Sequence, residues 1–263
     1  NAHSKGDKVR PGYPSVLGFR DPIIPSAPEG IDSSGRRMVL ANWMTSPENP
    51  LTARVIANRI WYFHFGRGIV RSPSNFGQNG DQPTHPKLLD YLAAKMIEQG
   101  WSLKEFHKTL MLSKTYQMSS AANENALLRD PTNNLFWRFE MRRLTAEEVR
   151  DSIINATGKL NLKMGGPSIY TDIPDEVRAT ASRPDHAWGH SSKEERLRRS
   201  VYVYIKRSLN EPMLKAFDSA DTDSTCAVRF ATTVPTQSLT MMNSRFVNEK
   251  ATAFADRLRA EAG

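Results

Sequence analysis

The chain has 263 residues, 39% hydrophobic and 24% charged, a balance that excludes a disordered polymer and suits one large folded domain or two small ones. Net charge is +8, and residues 1–80 carry ten basic groups against five acidic ones, so the excess sits mostly in the first third. No apolar run approaches the roughly 20 residues of a membrane span, and the lone Cys226 excludes an internal disulfide.

Residues 1–35 open without a charged-then-apolar leader, and the start at Asn1-Ala2 reads as that of a processed or excised piece. Pro11, Pro14, Pro22, Pro25 and Pro28 favour an extended path, and Leu17, Phe19, Ile23 and Ile24 give it something to bury. The expectation is an arm lying over a surface. Residues 36–45 read as a helix with Met38, Leu40, Ala41 and Met44 apolar, closed by Ser46-Pro47. Asn49-Pro50 then starts the helix around which the chain is organised: a capping side chain, followed by a ring with no N–H to leave unpaired. Leu51, Val55 and Tyr62 fall near one face with Ile56, Ile60 and Phe63 beside them, a broad stripe that predicts burial. Arg54, Asn58 and Arg59 interrupt it, and Gly66 is the predicted left-handed stop. The loop 66–83 follows, rich in Gly and Pro and holding the turn pair Asn79-Gly80. A patternless loop of this length inside a compact domain points to function or ligand holding.

Thr84-His85-Pro86 opens the next helix, which carries Leu88, Leu89, Leu92, Ala93, Met96 and Ile97 and closes at Gly100. Ser102 to Glu105 spells a capping box, and Leu103, Phe106, Leu110 and Met111 follow at helical spacing, so two antiparallel helices meet at Gly100-Trp101. A polar stretch holds Asn123, Asn125, Asn133 and Asn134. Thr145 to Glu148 is a second capping box, starting a helix through Val149, Ile153 and Ile154 to Gly158. Gly165-Gly166-Pro167 is a hard turn, and residues 171–195 read as loop. Residues 199–205, with Val201, Tyr202, Val203, Tyr204 and Ile205, predict the one strand. Short helices are predicted over 212–217 and 237–242, and Asn243 is expected to cap a last helix carrying Phe246, Val247, Ala251, Phe254 and Leu258. The expected fold class is mainly α: an irregular multi-helix single domain over 36–263 with long ordered loops, little β and an extended N-terminal arm over 1–35.

His186 and His190, with Asp185 before them, have metal-ligand spacing if helical, but Pro184 and Gly189 argue against a helix, and no metal is expected. His64 and His85 flank the long loop; each is either an acid or base, or an ordinary helix-end residue. There is no nucleophile elbow, phosphate loop, dinucleotide fingerprint or Cys-x-x-Cys-His haem attachment. The loop 66–83 is expected to be ordered and to lie on the arginine face of the organising helix, anchored by Ile69, Val70 and Phe76. Arg59, Asn75 and His85 are expected to form a polar knot beneath it, and His64, Arg67 and Asp81 complete the candidate binding set. The knot either locks two helices together or meets a ligand. Hydrolysis of a sugar polymer would need a second carboxylate near Asp81, and Asp151 and Asp218 are the candidates.

The runs Asn58-Arg59-Ile60-Trp61, Phe65-Gly66-Arg67-Gly68-Ile69-Val70, Ser72-Pro73-Ser74-Asn75-Phe76-Gly77 and Pro83-Thr84-His85-Pro86 resemble the planctomycete-specific domain of unknown function. The likeness continues through Arg142 to Asp151, Gly165 to Ser168, Arg199 to Tyr202, Phe217-Asp218 and Thr232 to Gln237, and Gly6-Asp7-Lys8-Val9 looks like the family's junction with a preceding domain. Ser74 and Asn75 stand where that family has Thr or Ser and Asp. The resemblance implies an extracytoplasmic setting in a larger secreted protein, with haem c on a separate domain and no cofactor in this chain. It carries over no catalytic residue. The function expected is therefore a helical docking or scaffold domain whose partners are the upstream domains of its parent. The alternative is an extracytoplasmic enzyme module acting on polysaccharide, as a hydrolase or as the redox partner of a haem domain. Nucleic acid is the disfavoured partner, because the aromatics beside the arginines belong to the apolar stripe.

Overall fold

The computed structural model describes residues 6–263 other than Lys8, Ala27, Pro28, Ile31, Ser182 and Ala227; the Asp185 side chain also lies outside the description. Outside the description, therefore, fall the start of the arm, Pro28, the Lys8 of the junction and the side chain of Asp185 in the histidine motif. Ten α-helices and no extended sheet occur among the described residues, so the chain is mainly α as its periodicity predicts. It divides into two compact units, Asn1–Glu140 and Met141–Gly263.

The first unit holds α1 (Arg36–Met44), α2 (Thr52–Phe65), α3 (Pro86–Glu98), α4 (Leu103–Met111) and α5 (Glu124–Arg129). Asn49 caps α2 as expected, its Oδ1 accepting from the Leu51 N–H at 3.0 Å and the Thr52 N–H at 3.4 Å, with Pro50 left in the turn ahead of the helix. Gly66 adopts φ 73° and its N–H reaches the Tyr62 carbonyl, which stops α2. The buried face of α2 is narrower than the predicted stripe: Ala53, Ala57, Asn58, Ile60, Trp61 and Phe65. Arg59 and Phe63, four apart, share the opposite face, and Phe63 is 68% exposed. Trp61 and Phe65 stack at 4.1 Å, and Phe136 meets both edge-on at 5.2 and 5.9 Å. Leu89, Leu92 and Met96 of α3 and Phe106 and Leu110 of α4 close this core. Each such side chain contributes about 1.5–3 kcal/mol by burial.

Gly100 and Trp101 both take positive φ, 60° and 61°, and this bend reverses the chain between α3 and α4 where the sequence places it. The helix α5 falls in the stretch read as merely polar; the Asn123 Oδ1 caps it, accepting from the Ala126 N–H at 3.0 Å. Phe136 also has positive φ, 54°, and reaches the core because Asp130 grips the backbone beside it, accepting from the Asn134 and Leu135 N–H groups at 2.9 and 2.8 Å. The arm runs along α1: Tyr13 stacks on Trp43 at 4.6 Å and Phe19 packs edge-on to Trp43 at 5.8 Å. Ile23, expected to be buried, is exposed.

The second unit holds α6 (Ala146–Ala156), α7 (Asp175–Arg178), α8 (Pro212–Ala216), α9 (Pro235–Asn243) and α10 (Arg245–Ala262). The Thr145 capping box is complete: Glu148 N–H donates to Thr145 Oγ1 at 3.3 Å and Thr145 N–H to Glu148 Oε2 at 2.8 Å. Residues 199–205 are not a strand. Ser200–Tyr202 form a single 3₁₀ turn, and among the described residues only isolated bridges flank it, Asn161 with Arg198 before it and Ile169 with Val203 and Lys206 with Leu209 after it. The cause is local, because the Asp151 carboxylate accepts both the N–H and the hydroxyl of Ser200, at 2.8 and 2.6 Å, and bends the chain before a ladder can form. Residues 175–178, inside a stretch read as loop, make the short helix α7. Asn243 ends α9, and Ser244 rather than Asn243 precedes α10.

Two buried arginines brace this unit. Arg150 donates to the carbonyls of Arg196 and Arg198 at 2.6 and 3.0 Å and to Ser200 Oγ at 3.2 Å. Arg198, with no exposed surface, donates to the carbonyls of Lys163, Gly165 and Pro167 and to Glu195, while its guanidinium lies 3.8 Å over the Tyr202 ring. It thereby holds the Gly165-Gly166-Pro167 turn from inside.

Candidate functional site

The long loop is fastened by Asn58, not by an arginine. Asn58 sits fully buried on the core side of α2. Its amide donates to the Val70 carbonyl at 2.9 Å, and its side-chain oxygen accepts from the Val70 N–H at 2.8 Å. One side chain thus satisfies both polar groups of a buried loop residue, as a neighbouring strand would. A Cβ on Gly68 would lie 2.4 Å from the Val70 oxygen and 2.8 Å from Asn58 Nδ2, so the clamp requires glycine there. The Ile69 carbonyl accepts from the Thr84 N–H at 3.0 Å and ties the start of the loop to its end. Ser72 Oγ donates to the Asn75 carbonyl at 2.9 Å and accepts from the Asp81 N–H at 2.7 Å. Ile69 and Val70 are buried and Phe76 packs against the same core. The loop is therefore anchored on the three residues expected, but over the Asn58 face of α2.

The six predicted residues do not converge. Arg59 is exposed and, among the described residues, makes no hydrogen bond or ion pair. Asn75 is exposed, and its side chain only accepts from the Gly77 N–H at 3.2 Å. His85 precedes α3 without a side-chain capping bond, contacting Thr84 Oγ1 at 3.0 Å and tilting against Phe136. The polar knot is thus absent. An arginine on α2 needs no buried partner once its face points to solvent. Arg67 turns away to the Thr132 carbonyl and Asn134 Oδ1. His64 meets His107 of α4, Nε2 to Nδ1, at 2.7 Å, with Tyr116 edge-on to its ring. At that distance one ring nitrogen donates and the other accepts, the tautomers deciding which. His186 ends a 3₁₀ turn and His190 lies in coil, both exposed, so they do not share a helix face. No group of three metal-binding side chains occurs among the described residues.

Asp81 does line an opening. The start of α2, the loop and the start of α3 enclose a cavity of about 240 Å³. Phe76, Val70, Leu51, Leu89, Pro83 and Pro86 supply its apolar wall, and Arg54, Asp81, Gln82 and Asp90 its polar groups. Arg54 is fixed by Asp90 Oδ1, with Nε and NH2 each at 2.7 Å, and by the Pro50 carbonyl at 2.7 Å. Arg54 and Asp90 stand 36 residues apart, and no sequence signal joins Asp90 to the loop or to Arg54. Only their shared solvent-facing edge of packed helices could have paired them.

The other two carboxylates considered for hydrolysis belong to the second unit and are engaged there. Asp151 serves Ser200. Asp218 takes the Arg143 guanidinium at 2.6 Å, the Thr232 N–H at 2.8 Å and the Thr232 hydroxyl. Burial would raise the Asp218 pKa, but the Thr232 hydrogen bonds and Arg143 outweigh it and hold the carboxyl below its ordinary value. Near the end of α6, an open depression of about 550 Å³ is lined by Lys159, Glu249, Asp256 and Arg257. Arg257 is spent there on the Ala156 carbonyl and Glu261.

These features define a mainly helical domain with a clamped loop over a small cleft. A family model matches residues 36–262, and the chain belongs to that family, PSD1, described as protein of unknown function (DUF1553). No curated protein and no solved structure matches the chain.

Proposed function

We propose that this chain is a docking domain of a larger extracytoplasmic protein associated with a c-type cytochrome, as the likeness to planctomycete-specific proteins implies. The observation that supports it is the state of two helices. Neither α1 nor the 18-residue α10 has a buried residue. Met38, Leu40 and Met44 on α1 and Phe254 and Leu258 on α10 stay exposed. A helix keeps its stability in water chiefly by burying an apolar stripe; Trp43 of α1 packs on Tyr13 and Phe19, and Phe246 and Val247 of α10 pack on the second unit's core, while the exposed remainder of each stripe is left for a partner. Upstream domains of the same parent are the partners proposed. No described helix is long and apolar enough to cross a membrane, so a bilayer does not take up these faces as a span. Co-purification of this chain with the upstream region of its parent tests the proposal. Association that Met38→Asp with Met44→Asp, or Phe254→Asp with Leu258→Asp, abolishes supports it. A folded chain that never associates overturns it.

A module acting on polysaccharide is the second reading. The cavity favours it, because it places the Asp81 and Asp90 carboxylates and an arginine around an apolar wall. It supports binding more directly than hydrolysis, since Asp90 is already paired with Arg54.

A further inference from the structure

We infer that the cavity between the long loop and the starts of α2 and α3 binds a single neutral pyranose ring, an inference that rests on the polysaccharide reading. The first observation is size. At about 240 Å³ the cavity falls below the range of about 300–1,000 Å³ that encloses drug-sized ligands. One six-membered sugar ring fits the space, and an oligomer would have to continue outside it. The second is the division of its wall. A pyranose carries an apolar face of C–H groups and an equator of hydroxyls. Phe76, Pro83 and Pro86 give the apolar side, and Arg54, Asp81, Gln82 and Asp90 the polar one.

The third observation is unspent hydrogen-bonding capacity. Among the described residues, none donates to the Asp81 carboxylate, whose residue is held only through its N–H on Ser72. Both contacts of Arg54 to Asp90 fall on Oδ1, which leaves Oδ2 open, and no described residue bonds the exposed Gln82 amide. Vicinal hydroxyls both donate and accept, so one pair of them can satisfy a carboxylate and a guanidinium N–H together. A bare ammonium would use the acceptors and leave Arg54 and the apolar wall idle. The charges set the class further. Two carboxylates against one arginine repel uronates and sulfated sugars, although the whole chain is basic with a net charge of +8. Arg54 is already held by Asp90 and the Pro50 carbonyl, so a ligand meets it in place.

The test is saturation-transfer NMR and titration of the full chain with the methyl glycosides of glucose, galactose, mannose and xylose. Glucuronate and Nα-acetyl-lysinamide serve as charged comparisons. At least one neutral glycoside binds, with a Kd on the order of 1 mM as suits so few contacts. Asp81→Ala and Gln82→Ala, both at exposed positions outside the Asn58 clamp, each weaken it tenfold or more while the melting temperature is unchanged. Binding of none of the glycosides overturns the inference. So does tighter binding of glucuronate or of the lysine derivative, or binding that survives both substitutions. Failure here leaves the docking reading intact, because neither α1 nor α10 lines this cavity.

Discussion

Replacing Asn58 by alanine separates the clamp in the structure from the arginine knot expected from sequence. The substitution strands the N–H and the carbonyl of Val70, a residue with 3% of its surface exposed. Each buried group left without a partner costs about 1–3 kcal/mol. The small void left by the amide adds little, so the loss from the two groups is about 2–6 kcal/mol. For a domain of this size that lowers the melting temperature by about 10 °C. Thermal unfolding of the full chain followed by far-UV circular dichroism reads it. Asn58→Asp is the sharper control, since it keeps the acceptor for the Val70 N–H and sets a carboxylate against the Val70 oxygen in a fully buried site. It should cost at least as much as alanine. Arg59→Ala, on an exposed face, should change stability by no more than about 0.5 kcal/mol. If Arg59→Ala cost as much as Asn58→Ala, the clamp would be wrong and the sequence expectation right.

Three further outcomes follow from the same packing. Gly68→Ala should destabilise the first unit by about 2 kcal/mol, because its methyl would overlap the Val70 carbonyl; a stable variant with an intact loop would contradict the clamp. Arg198→Met should cost about 3 kcal/mol by orphaning the carbonyls of Lys163, Gly165 and Pro167. Arg198→Lys, which cannot reach all three, should recover less than half, and full recovery would show that only the charge matters. The hydrogen bond from Arg142, against burial and helped by the Thr145 hydrogen bonds and the Arg142 charge, brings the Glu148 pKa from 4.5 down to about 2. A carboxylate with a depressed folded value adds stability that is complete above the unfolded value and is lost as pH falls from about 4.5 towards about 2. Both partners are more than a third exposed, so screening limits the effect to about 1 kcal/mol. Glu148→Gln should flatten that acid slope, and an unchanged slope would place its origin elsewhere.

What could be read from the residues depended on whether the governing interaction was local. The caps at Asn49, Ser102 and Thr145 and the stop at Gly66 act over two to four residues, and all of them appear. Arg59 and Asn58 are adjacent, so periodicity places them 100° apart on a helix, and the choice of buried face turns on whether Val55, Tyr62 and Phe63 or Ala53 and Ala57 face the core. Large apolar residues pointed one way and close helix packing, which favours alanine, the other. Residues 199–205 alternate like a strand, yet Asp151, 49 residues from Ser200, bends them first. The ion pair of Arg54 with Asp90 and the meeting of His64 with His107 span 36 and 43 residues. Such pairings exist only once the helices pack, so no spacing rule announces them.

The docking proposal meets its most direct test in hydrogen exchange on the full-length parent, compared with this chain alone. The account predicts that amides of α1 and α10 exchange more slowly in the parent, where a partner covers Met38, Met44, Phe254 and Leu258, while the α2 core is protected equally in both. Equal exchange of α1 and α10 in the two samples would show that nothing docks on these faces and would contradict it.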